Sequence, residues 1–336
     1  MTLKMYTPIL RQSLDREMRR VVDLSDGPGL SELRSMLAYH LGWEGEKSGP
    51  EAQGKRIRPL LVMLTCGALG GSPDAALPAA ASVELIHNFS LIHDDIEDSS
   101  DFRHGRLTVW KKWGIPQAIN AGDLMFTLAF QAMLRLENSV SSSAALEGTK
   151  LLQSACIQLT QGQYQDISFE NRNSISLTEY WKMVGGKTAA LLACATELGA
   201  LSAQANPELR LAMRTYGNAL GLAFQAWDDW LGIWGDSALT GKSTESDLVS
   251  GKKSLPVVFG LSREGKFAQR WKQGPINPNE LPEVIKLLED EGAKEFTAQA
   301  AGQWTDEAMV ALNQTLPNDF SVALRELTEM LLHRKQ

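Results

Sequence analysis

Two apolar helical stretches of this chain are interrupted by carboxylates, and that mixture restricts the possible fold more than any other feature. The first is Leu91-Ile92-His93-Asp94-Asp95-Ile96-Glu97-Asp98. The second is Phe224-Gln225-Ala226-Trp227-Asp228-Asp229-Trp230-Leu231-Gly232-Ile233-Trp234-Gly235-Asp236. At about 3.6 residues per turn, Glu84, His87, Leu91, Asp94 and Asp98 fall on one helix stripe. Gln225, Asp228, Asp229, Gly232 and Asp236 form another. Carboxylates set among Leu, Ile, Phe and Trp are costly to desolvate unless something positive neutralises them. Two such clusters suggest a cavity walled by acids and filled with divalent metal.

The rest of the chain is helical in pattern. Leu and Ala recur at three and four, and strand-like alternation is rare. Helices are expected near 8–24, 29–41, 54–70, 74–98, 115–134, 142–168, 177–203, 207–234, 252–262, 280–291, 293–314 and 318–333. Breaks are marked at Ser48-Gly49-Pro50, Gly70 to Pro73, Gly185-Gly186, Asn206-Pro207 and Gly274 to Pro278. The expectation is one all-α domain over 1–336, a helical bundle around a central apolar cavity. Its catalytic core would span about 30–265, with C-terminal helices at 280–333 packed on it after a loop at 265–280.

Composition removes several function classes. A net charge of −7 without a long basic run argues against a nucleic-acid surface. Cys66, Cys156 and Cys194 are odd in number and far apart, so they read as buried thiols, not as a disulfide framework or zinc site. No apolar run behind Lys4 suggests a signal peptide, and no uninterrupted apolar stretch is long enough to span a membrane. A cytoplasmic protein is expected.

Acids can hold a metal but not an anion directly, so cations matter equally. Gly54-Lys55-Arg56-Ile57-Arg58-Pro59 would open a helix with Lys55 and Arg58 on one face. Arg103-His104-Gly105-Arg106 follows the first acidic cluster, and Gly186-Lys187-Thr188 starts a helix. Gly241-Lys242 and Gly251-Lys252-Lys253-Ser254 follow the second cluster. Lysine point charges and arginine forks interleaved with two metal motifs suit a polyanion such as diphosphate.

This ordered set resembles the trans-prenyltransferases, the head-to-tail isoprenyl diphosphate synthases. The likeness runs from Gly54 to Pro256. It comprises Gly54-Lys55-x-x-Arg58-Pro59, His87, Asp94-Asp95-x-x-Asp98, Arg103, Gly162-Gln163-x-x-Asp166, Lys187-Thr188, Phe224-Gln225-x-x-Asp228-Asp229, Gly235-Asp236, Gly241-Lys242 and Lys252-x-Ser254-Leu255-Pro256. The resemblance implies that Asp94, Asp98 and Asp228 coordinate about three magnesium ions on an allylic diphosphate, with Asp95 and Asp229 also in the metal set. It implies that Arg103, Lys187, Lys242 and Lys252 contact that diphosphate, and that Lys55, Arg58 and His87, with His104 nearby, hold isopentenyl diphosphate. Gln225 and Thr188 would face the allylic cation, and Asp166 would orient Lys187. A homodimer is the family's usual assembly.

Two positions depart from the pattern. Gly232 stands where the family usually has the last aspartate of the second motif, and His104 replaces the second arginine of an Arg-Arg-Gly, for which Arg106 would compensate. Phe89 and Ser90, the fifth and fourth residues before Asp94, look like the geranylgeranyl-producing pattern, with farnesyl and longer products as alternatives. A class I terpene cyclase would ionise the same substrate without isopentenyl diphosphate, and a non-catalytic partner subunit would lose the aspartates. Retention of Lys55, Arg58 and His87 favours the synthase.

Overall fold

The computed structural model describes residues 2–235 and 246–332, and among these it is helical apart from one two-stranded ribbon. In chain order the helices are α1 (Thr2–Val22), α2 (Ser31–His40), α3 (Ile57–Ala68), α4 (Leu77–Glu97), α5 (Val109–Trp113), α6 (Ile115–Leu134), α7 (Leu136–Ser139), α8 (Ser142–Glu170), α9 (Leu177–Val184), α10 (Ala190–Ser202) and α11 (Pro207–Trp234). Then come α12 (Ser246–Val249), α13 (Leu255–Ser262), α14 (Lys266–Trp271), α15 (Leu281–Asp290), α16 (Ala293–Leu312) and α17 (Asp319–Leu332). The all-α expectation holds. Gly185-Gly186 does not break the helical path: a π-helical turn over Gly185–Ala189 joins α9 to α10. The ribbon, β1 (Phe102–Arg103) and β2 (Arg106–Leu107), was not foreseen, nor was α14 in the segment expected to be a loop.

The residues gather into two compact units. Among the described residues, one comprises 2–153, 195–210 and 315–324; the other comprises 154–194, 211–235, 246–314 and 325–332. In the first, α4 packs against α6, α3 and α1. Leu60 to Leu64 on α3, Val83, Leu85 and Ile86 on α4, and Ala121, Met125 and Ala129 on α6 are buried. Residues Pro73–Glu97 are long and apolar enough to cross a membrane, but 67% of their apolar 18-residue window is buried inside the protein, as in a core helix. In the second unit, Tyr180, Met183 and Val184 of α9 pack with Leu222 and Ala226 of α11 and Leu255 and Val258 of α13. A capping box at Ser176 and Glu179 starts α9, fixing where Tyr180 points. All three cysteines are free and buried, and burial pushes the Cys66 and Cys156 thiols up to about 12.

Candidate active site

The first acidic stripe lies on α4. Glu84, His87 and Leu91 line a cavity of about 230 Å³ in the first unit, together with Lys55, Arg58, Arg103 and His104. Glu84 is the sole acid in this lining, and it is paired: Arg56 Nη1 donates to its Oε1 at 2.9 Å, with both side chains almost wholly buried. Asn88 Nδ2 donates to the same oxygen at 3.0 Å. The cavity therefore has a strongly basic lining and no unpaired carboxylate.

Lys55 and Arg58 both reach this cavity, but not from one helix face as the spacing suggested. Gly54 (φ 70°) and Arg56 (φ 51°) adopt left-handed conformations, which delay the helix until Ile57. Lys55 thus projects from the loop and Arg58 from the first turn of α3. Arg58 Nη1 lies 3.1 Å from His87 Nε2. Burial, followed by Arg58 and Arg103, holds His87 well below the usual histidine range, so its imidazole is neutral near pH 7. Burial also lowers Arg58, and burial with Arg103 lowers His104.

One cavity residue escaped the sequence reading. His40, the last residue of α2, lines the same space, and its Nε2 is buried without a hydrogen-bond partner. Burial, then Arg103, Arg56, His104 and Arg106, push it down to about 3. The Nε of Arg58 is likewise buried and unpartnered. The unpartnered Arg58 Nε, among neighbouring guanidinium groups, suits an anionic ligand.

His104 and Gly105 form the two-residue turn of the ribbon, both with positive φ (51° and 70°). Histidine tolerates this conformation better than most residues do. The turn returns Arg103 to Asp95, where Nε and Nη2 donate to Oδ1 at 3.0 and 2.8 Å and Nε also reaches Oδ2 at 3.1 Å. Arg106 does not compensate for His104. Its Nη1, Nη2 and Nε donate to the carbonyls of Tyr39, Glu44 and Glu46 at 2.6, 2.6 and 3.0 Å, tying down the 39–46 segment.

The acids of each motif divide by burial. Asp95 is 1% exposed and gripped by Arg103, whereas Asp94 is half-buried and Asp98, one turn on, is exposed. In the second unit Asp229 is 2% exposed and fully engaged. Its Oδ1 accepts from Gln225 Nε2 at 2.8 Å, and its Oδ2 from Tyr180 Oη at 2.6 Å and Leu255 N at 2.7 Å. Burial raises the carboxyls of both Asp95 and Asp229 above the ordinary range. Asp95 and Asp229, expected among the metal ligands, are thus occupied as anchors. Asp94, Asp98 and Asp228 retain solvent access. Among the described residues no three His, Cys, Asp or Glu side chains converge as a metal cage. Hard oxygen donors in ones and twos fit magnesium whose remaining ligands are phosphate oxygens and water.

Around Asp228 the second unit assembles the other expected groups. Gly162 and Gly186 let α8 meet the π-helical turn: a Cβ on Gly162 would lie 2.2 Å from Lys187 N, and one on Gly186 2.5 Å from Gln158 O. That crossing brings Lys187 Nζ to Asp166 Oδ2 at 2.5 Å. Thr188 Oγ1 donates to Gln225 Oε1 at 3.0 Å. Burial opposes the charge on Lys252, yet Asp229, Asp247, Asp166 and Asp228 outweigh it and raise its ammonium above the ordinary lysine value. Lys242 and Asp236 lie outside the described residues. Phe89 meets Phe126 of α6 edge-on at 5.0 Å, and Phe126 meets Phe130 at 5.1 Å. This aromatic ladder beside Ser90 was invisible to a reading of α4 alone.

The polyprenyl synthetase family profile matches residues 47–288. The chain is 38% identical to a (2E,6E)-farnesyl diphosphate synthase of Mycobacterium tuberculosis, over 99% of this chain and 91% of that protein. It is 35% identical to a geranylgeranyl diphosphate synthase of the same organism, over 88% of this chain and 85% of that one. Among solved structures, it resembles a polyprenyl synthase from Caulobacter crescentus complexed with calcium and isoprenyl diphosphate. The TM-score is 0.82 at 27% identity, covering 100% of this chain and 98% of that one.

Proposed function

This chain belongs to the polyprenyl synthetase family, and we propose that it is a magnesium-dependent head-to-tail synthase extending an allylic diphosphate with isopentenyl diphosphate. The observation that carries the reading is the basic cavity of about 230 Å³ at Lys55, Arg58 and His87. A terpene cyclase, which ionises its substrate without a second diphosphate, has no use for such a pocket.

In this reading Lys55, Arg58 and His87 hold the isopentenyl diphosphate. Asp94, Asp98 and Asp228 hold magnesium on the allylic diphosphate, and Arg103, Lys187, Lys242 and Lys252 contact its oxygens. Magnesium, when bound, supplies Lewis-acid neutralisation of the leaving diphosphate. The allylic carbon–oxygen bond breaks with its electron pair leaving on diphosphate, the isopentenyl double bond attacks the cation, and a proton is lost to the released diphosphate. Asp229 fixes the Gln225 amide by taking its N–H, which leaves Gln225 Oε1 beside Thr188 Oγ1. That pair of oxygens offers lone-pair density to the cation, while the lysine charges stabilise the diphosphate. Apolar walls exclude the water that would quench it.

The proposed product is geranylgeranyl diphosphate, because Phe89 is followed by the small Ser90 on the wall below Asp94. A farnesyl product is the second reading, favoured by the likeness to the mycobacterial farnesyl synthase and by the aromatic bulk that Phe126 adds beside Phe89. A homodimer has surface to use in the exposed Ile157 and Tyr164 of α8. Purified protein incubated with magnesium, isopentenyl diphosphate and dimethylallyl, geranyl or farnesyl diphosphate should yield elongated diphosphates by mass spectrometry. Hydrocarbon products, or none, would refute the synthase.

A further inference from the structure

We propose that His87 works through Arg58: its imidazole keeps a single proton, on Nδ1, accepts a hydrogen bond from the guanidinium at Nε2, and so aims the remaining edge of Arg58 at isopentenyl diphosphate. The inference deepens the synthase reading and rests on it for the identity of the ligand.

The polarity of the contact follows from the two groups that make it. Arg58 Nη1 lies 3.1 Å from His87 Nε2. A guanidinium carries only N–H donors, has no acceptor and stays charged in proteins. The imidazole nitrogen facing it is therefore the bare one, because a proton there would set two donors against each other. That leaves the proton of the neutral ring on Nδ1. The surroundings favour the same state. Burial, then Arg58, Arg103, His40 and Arg56, oppose a second proton on the ring. Glu84, the sole acid among the described lining residues, is already paired with Arg56 and offers no compensating charge.

With its Nε2 lone pair turned to Arg58, this nitrogen has nothing to give a phosphate oxygen. Its effect is to hold the arginine. His87 takes the Nη1 end of the guanidinium, and Arg58 Nε is buried without a partner. The Nε and Nη2 donors lie along one edge, the edge that Arg103 turns on Asp95. In Arg58 that edge is left for two phosphate oxygens, as a bidentate fork. His87 is thus a positioning residue, and Arg58 is the group that touches the ligand.

A double-mutant cycle tests this in the full chain, using Arg58→Leu, His87→Leu and the pair. KM for isopentenyl diphosphate is read at saturating allylic substrate, and melting temperatures without ligand separate weak binding from misfolding. His87→Leu should raise that KM by about 10-fold, the value of one hydrogen bond to a charged group, with KM for the allylic substrate unchanged. In the Arg58→Leu background the same loss should change it by less than about 2-fold, because the partner is already gone. An equal cost in both backgrounds would mean that His87 meets the ligand itself, and would overturn the proposal. His87→Lys, a cation that cannot accept, should be no better than His87→Leu; recovery of the parent's KM would overturn it too. Heteronuclear NMR of isotope-labelled histidine in the ligand-free protein reads the tautomer directly. A His87 signal with its proton on Nε2, or on both nitrogens, would sink the proposal whatever the kinetics show. If the parent does not elongate isopentenyl diphosphate, the synthase reading fails and takes the ligand with it, while the NMR signal still decides the polarity of the Arg58–His87 contact.

Discussion

Replacing Tyr180 with phenylalanine tests how the second cluster is held. Tyr180 is 1% exposed, and its hydroxyl donates to Asp229 Oδ2 at 2.6 Å. The substitution keeps the ring and its packing but removes one of three donors to a buried carboxylate. A hydrogen bond to a charged group contributes about 1.5–3 kcal/mol, so the unfolding equilibrium should shift by about 10- to 150-fold near neutral pH. The sign of the pH dependence follows from Asp229. Burial raises its carboxyl above the ordinary aspartate value, partly offset by Lys252, Tyr180, the Leu255 amide and Gln225. A carboxyl raised on folding binds more protons in the native state, so its contribution is most favourable at low pH. That contribution is lost as pH climbs from the ordinary aspartate value through the raised one. Losing the tyrosine donor raises Asp229 further. The penalty of Tyr180→Phe should therefore be largest near pH 7 and shrink towards about 0.5–1.5 kcal/mol, the range of a neutral hydrogen bond, once Asp229 is protonated. Urea unfolding monitored by tryptophan fluorescence at a series of pH values from neutral downwards measures both. A penalty that does not change with pH, or one below about 0.5 kcal/mol at neutral pH, would refute the assignment of Asp229 as a tyrosine-held anion.

Three further outcomes are expected. Ser90→Phe, one residue from the Phe89–Phe126 pair on α4, should shorten the product to C15, read by chromatography of dephosphorylated products. Arg58→Leu should raise KM for isopentenyl diphosphate by about 10- to 100-fold, the value of one charge-assisted contact, with KM for the allylic substrate unchanged in steady-state kinetics. Arg106→Lys should lower stability by at least about 2 kcal/mol in denaturant titrations, because a single ammonium cannot reach carbonyls spread around three guanidinium nitrogens, while leaving both KM values near the parent's.

Helix existence was legible wherever apolar residues recurred over many turns: α6 and α11 fall on the expected 115–134 and 207–234. Short elements escaped because a few residues carry no period: the β1–β2 ribbon, α12 and α14. The start of α3 was misjudged because the left-handed backbone at Arg56 leaves no mark in composition. In the site, the side chains named from spacing were largely those that line the cavity or gather near Asp228. His40 and Tyr180 were not, since each reads locally as one more residue on an amphipathic helix, and only the fold brings them to a basic cavity and to Asp229.

Both motifs put two adjacent aspartates on a helix, and adjacent residues point about 100° apart, so they cannot share one task. One carboxylate of each pair turns inward. Asp95 takes the Arg103 fork, and Asp229 takes Tyr180, Gln225 and the Leu255 amide. The other, Asp94 or Asp228, stays near solvent. The inward acid fixes the arginine beside the first stripe and the glutamine amide beside the second. An inward acid replaced by asparagine would keep its volume but lose its hold on a cation or on donors that need an anion. Such a change should perturb the orientation of neighbouring groups before it perturbs the fold. The doubled aspartate is therefore a division imposed by helix geometry, in which one member of each pair is held inside by its donors and the other stays open to solvent.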